Sequence, residues 1–104
     1  MLERLVGDDP AVVQEFLDGF RASASRIAIE LKAACAGRQT AQAADQAHKL
    51  MSSARAVGAL ALGDLCAEME TAGKAGRLEA LAMLLPRFED ELDTVNMYLD
   101  SLQA

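Results

Sequence analysis

The final quarter of the chain limits the possible folds more than any other stretch. Leu78, Leu81, Leu85, Phe88, Leu92, Val95, Leu99 and Leu102 recur in strictly alternating steps of three and four. That spacing collects every apolar side chain on one stripe of an α-helix, whereas a strand would scatter them over both faces. Because the stripe keeps its phase across Pro86, the proline reads as a kink or a first-turn residue, not as a boundary. A helix with one apolar stripe must bury it against other elements, so the rest of the chain has to supply partners.

It supplies three more helical patterns. Asp9-Pro10 is a start signal, an N-cap carboxylate before a proline at the first helical position. From there Val13, Phe16, Phe20, Ala24, Ile27, Leu31 and Ala34 form a stripe, which Leu17 and Cys35 widen. Gly37 reads as its C′ glycine. The span corresponds to a rod of roughly 40 Å. The second helix begins near Thr40, a candidate N-cap, and runs to about Val57 on Ala43, Ala47, Leu50, Ala54 and Val57. Ala44 and Met51 lie on its shoulder, and Gly58 breaks or bends it. A third, from about Leu60, carries Leu62, Leu65, Cys66, Met69 and Ala72 and ends at Gly73 and Gly76. Met1 to Val6 reads as a lead-in helix or ordered arm. Composition agrees: 21 alanines and 15 leucines stand against ten Val, Ile and Thr residues and four aromatics, which suits helices and not sheets. The expected fold is all-α, an antiparallel up-down-up-down four-helix bundle forming one domain over residues 1–104. A coiled-coil oligomer uses the same spacing, but three glycine breaks and unequal stripe widths favour a monomer that buries its own stripes.

Several function classes fall away. A net charge of −6 with few aromatics argues against a nucleic-acid surface. No apolar run is long enough to span a bilayer and no basic leader precedes a cleavage-like site, so a cytoplasmic protein is expected. Cys35 and Cys66 fall on apolar stripes without a second pair, as small core residues do. His48 has no Glu-x-x-His context for a di-metal bundle, so no metal site is expected. Ser52, one turn beyond, lacks the orienting acid and oxyanion hole of a nucleophilic site.

His48 itself can be placed. At about 100° per residue it lies roughly 110° from the inward direction set by Ala47, Leu50 and Ala54, so it faces mostly outward. Ala44 and Ser52 stand one turn to either side, Asp45 and Met51 at three residues, and Arg55 two turns on. Asp45 and Ser52 are candidates to orient the ring. Arg38, Lys49 and Arg55 against Asp45 give the surrounding segment a charge of +2, while the segments before it, after it and at the end carry −2, −1 and −5. A basic segment around the one histidine suits a phosphorylated or carboxylate-rich partner. A surface histidine without function, on a helix with a chance excess of cations, accounts for the same residues.

The run Ala47-His48-Lys49-Leu50-Met51-Ser52-Ser53-Ala54-Arg55-Ala56-Val57-Gly58-Ala59 resembles the phosphorylation helix of histidine-containing phosphotransfer (HPt) domains. Their pattern is Ala-His-x-Leu-Lys-Gly-Ser followed by Gly-Ala. The resemblance continues through Leu62, Cys66 and Glu70. It implies that His48 is the phosphorylated residue of a bacterial phosphorelay, Leu50 its core anchor and Gly58 the helix-closing glycine. It further implies that Ala44, Asp45, Lys49, Met51, Ser52 and Arg55 lie near the phosphate or the partner. Met51 stands where the family has lysine and Ser52 where it has glycine, which leaves Arg55 as the candidate cation for the phosphoryl group. The implied partners are a response-regulator receiver domain, a hybrid histidine kinase, or both. The receiver would supply Mg²⁺ and this chain would need no cofactor, acting as a phosphoryl carrier and not as an enzyme. Two alternatives are a receiver-binding adaptor that is not itself phosphorylated and the histidine-bearing domain of a chemotaxis-type kinase.

Overall fold

The computed structural model describes residues 10–102, which form four helices: α1 (Pro10–Ala36), α2 (Thr40–Ala56), α3 (Leu60–Lys74) and α4 (Leu78–Leu102). No strand occurs among the described residues. Asp9 and the expected lead-in segment, Met1 to Val6, lie outside them.

Three short connections set the topology, and they share one geometry. Each helix end closes with a backbone N–H that reaches five residues back: Gln39 to Ala34 (2.9 Å), Ala59 to Ala54 (2.8 Å) and Arg77 to Ala72 (2.9 Å). This is the Schellman pattern, which needs one left-handed residue just before the donor. Gly58 (φ 84°) and Gly76 (φ 70°) fill that position in two of the turns. In the first turn Arg38 fills it (φ 59°), so Gly37 is not the C′ glycine that its place in the sequence suggests. An L-residue pays for the left-handed conformation through its Cβ, so Arg38→Gly is expected to stabilise the fold by about 0.5–1 kcal/mol. A higher urea midpoint at unchanged m would register the gain. Thr40 is likewise the first residue of α2 and not its cap. Gln39 holds the cap position without a side-chain hydrogen bond.

Such tight turns force antiparallel neighbours, and the chain forms an up-down-up-down bundle measuring 44 × 21 × 18 Å. α4 returns to α1, where the Arg21 guanidinium donates to the Asn96 carbonyl (2.9 Å) and pairs with Asp100. The predicted stripes meet in the centre. Leu31, Leu50, Leu62, Met69, Leu81 and Phe88 are completely buried, and among the described residues no polar side chain is buried with them. Pro86 lies well inside α4, not in its first turn. It is exposed, as is Ala82, whose carbonyl loses its helical partner to the proline, so water can satisfy that group. Leu102, the last of the stripe, is about half exposed. No described helix is long and apolar enough to cross a membrane.

Candidate functional site

The site is built by the way α2 and α3 approach each other. Gly73 sits so close to α2 that an added Cβ would lie 2.6 Å from the Thr40 carbonyl oxygen and 2.8 Å from the Ala44 Cβ. At the other end Gly63 makes room for Arg55, whose Cγ stands 3.0 Å from where a Cβ would be. These two close approaches fix the register of the antiparallel pair. Between them, His48 on α2 faces Glu70 on α3.

The His48 side chain is 58 % exposed and Glu70 only 15 %. Nδ1 of His48 lies 3.1 Å from Oε1 and 3.0 Å from Oε2 of Glu70. Lys74, one turn further along α3, places Nζ 3.0 Å from the same Oε2. The Lys74 hydrogen bond, and after it the one to His48, hold the Glu70 carboxyl below the usual glutamate range, against an opposing effect of desolvation. A carboxylate only accepts, so Nδ1 of a neutral ring facing it carries the proton and Nε2 keeps the lone pair. Nε2 has no hydrogen-bond partner among the described residues. The geometry therefore offers one outward-facing imidazole nucleophile on a rigid helix, with its opposite nitrogen anchored.

A pH dependence follows. Glu70 titrates lower in the folded than in the unfolded chain, so its pairing stabilises the fold above the ordinary glutamate range and is lost as pH falls through the folded value. Between about pH 6 and about pH 3, the wild type is expected to lose urea resistance more steeply than Glu70→Gln, which carries no such group.

The other predicted residues distribute unevenly around the ring. Neither Asp45 nor Ser52 holds His48, although both are exposed; Glu70 does. Glu70 enters the sequence reading only as a matching position. Its pairing with His48 becomes visible once the register of α2 against α3 is known. Ala44 is 2 % exposed and packs under Gly73, so it supports the helix pairing and does not line an open surface. Met51 is half-buried against the core. Gly58 follows α2 in the left-handed region (φ 84°).

The segment's cations do not gather at the ring. Lys49 opens onto the groove between α1 and α2, beside Ser23, Arg26, Glu30 and Gln46. Arg55 lies over Gly63 and approaches Asp64 at 3.8 Å. Arg38 occupies the first turn. The charged group in contact with His48 is Glu70, which in turn pairs with Lys74, both from α3.

Cys66 is buried and Cys35 partly so, and both are free thiols. Burial pushes the Cys66 thiol up to about 12, with Arg55 pulling the other way, and raises Cys35 as well. Neither is poised to act as a thiolate nucleophile near neutral pH. No cluster of His, Cys, Asp or Glu able to hold a metal occurs among the described residues.

The described residues thus form an antiparallel four-helix bundle that presents the chain's one histidine outward from the middle of a helix. The family model of the Hpt domain matches residues 12–98, and the chain belongs to that family. Membership brings a histidine-phosphotransfer role in phosphorelays. No curated protein and no solved structure matches the chain.

Proposed function

We propose that this chain is a phosphorelay intermediate that carries a phosphoryl group on His48, acting as a cytoplasmic monomer. It exchanges the group with receiver-domain aspartates of response regulators or of a hybrid sensor kinase. The observation that carries this reading is the His48–Glu70 contact, which leaves Nε2 unoccupied on an exposed ring.

In the forward step the Nε2 lone pair attacks the phosphorus of a receiver aspartyl-phosphate. An N–P bond forms as the P–O bond to the aspartate breaks, and the carboxylate leaves with the electron pair. Nδ1 keeps its proton throughout, and the positive charge that develops on the ring is met by the Glu70 carboxylate. The receiver supplies the Mg²⁺ that stabilises the transferring group. This chain supplies the positioned nucleophile and needs no cofactor of its own. The reverse step uses the same atoms.

The reading is tested by incubating the protein with a phosphorylated receiver and Mg²⁺. The expected product is a label that acid removes and alkali does not, appearing as the receiver loses its own. Receivers that bind the chain without passing on any label would instead identify a non-phosphorylated adaptor.

A further inference from the structure

We propose that Lys74 is a positioning residue for His48, acting through Glu70 to hold the ring with its proton on Nδ1 and its lone pair on Nε2. The proposal rests on the phosphotransfer reading for its purpose, but its geometry stands alone.

Glu70 is a flexible side chain held from two directions. His48 reaches it from α2, and Lys74 reaches it from its own helix one turn away, both at 3.0 Å from Oε2. Only 15 % of the Glu70 side chain meets water, so solvent does little to fix where its carboxylate points. An ammonium with three donors can bridge to Oε2 while that oxygen still faces the ring. Without it, Glu70 has one remaining partner and regains the freedom to rotate toward solvent, and the ring loses the acceptor that selects its tautomer. The other cations do not substitute. Lys49 faces α1, and Arg55 is engaged near Asp64. Lys74 is 69 % exposed, so its replacement removes no core packing.

The chain has a single histidine, which makes the ring directly readable by nitrogen NMR. In the full chain at mildly alkaline pH, the ¹⁵N shifts of the wild type are expected to show predominantly the Nδ1–H tautomer. Lys74→Ala should raise the Nε2–H population several-fold, approaching the population seen in Glu70→Gln. Lys74→Arg should restore the wild-type pattern, because arginine keeps the charge and the reach across one helical turn. Phosphoryl acceptance should fall several-fold in Lys74→Ala and recover in Lys74→Arg. An unchanged tautomer in Lys74→Ala, with its thermal unfolding intact, overturns the proposal. A tautomer shift in a chain that accepts no phosphoryl group from any receiver would uphold the positioning role and reject the phosphotransfer reading, so the two failures are distinct.

Discussion

Exchanging His48 for glutamine is expected to remove receiver-dependent labelling entirely while leaving the bundle folded. The side chain is mostly in water and contributes nothing to the core, so its loss should change stability by no more than about 0.5 kcal/mol. Glutamine can still donate an amide hydrogen to Glu70, so the α2–α3 contact has a substitute. What it lacks is a nucleophilic nitrogen, because the amide lone pair is delocalised into the carbonyl. The measurement is paired: phosphoryl transfer from a labelled receiver, and a urea unfolding curve on the same preparation. Label persisting in the glutamine variant would place the acceptor elsewhere, and since no other histidine exists, it would require a different kind of phosphorylated residue. Lys49→Ala is the matched surface control. That lysine neighbours His48 in sequence but opens onto the α1 groove, so its removal should leave labelling close to wild type.

Why some of this was readable from residues alone, and some was not, comes down to which interactions are local. The α4 stripe is a one-dimensional pattern, and Leu81, Phe88, Leu92 and Leu99 are buried where it places them. The outward aspect of His48 is equally local, because Ala47, Leu50 and Ala54 fix the inward side of α2. Turn chemistry is less transparent. Glycine spacing marks where the chain reverses, but at 37–38 the left-handed residue is the arginine and not the glycine. Pairing between helices is least legible. Gly73 looks like a helix terminator, yet it lies inside α3 and is buried because its missing side chain admits α2. That contact brings Glu70 to His48 from 22 residues away. Summed charge is a similar case: the cations around position 48 are real, but helix geometry sends Lys49 and Arg55 to different faces.

The closeness of that helix pair makes one glycine far more sensitive than another. Gly73→Ala is expected to destabilise the bundle by about 2 kcal/mol, because the new methyl meets backbone as well as side chain. The Thr40 carbonyl, 2.6 Å away, cannot rotate aside as a side-chain tip would; α2 or α3 has to move. The substitution also gains about 1 kcal/mol in helix propensity, so the clash must outweigh a favourable contribution before any loss appears. Gly19→Ala isolates that contribution. Its position is exposed on α1 with nothing within 4 Å of the added carbon, and the same change there should stabilise by about 0.5–1 kcal/mol. Opposite signs for one substitution in two helices would show that the α2–α3 approach, and not glycine's intrinsic cost, governs position 73. The consequence reaches the site, because Glu70 lies one turn from Gly73. Prying the helices apart there should lengthen the 3.0–3.1 Å contacts to Nδ1 and slow phosphoryl acceptance, whereas Gly19→Ala should leave the rate unchanged. Equal stabilisation by both substitutions would mean that α2 and α3 yield freely, and the close-packed register that brings His48 to Glu70 would have to be abandoned.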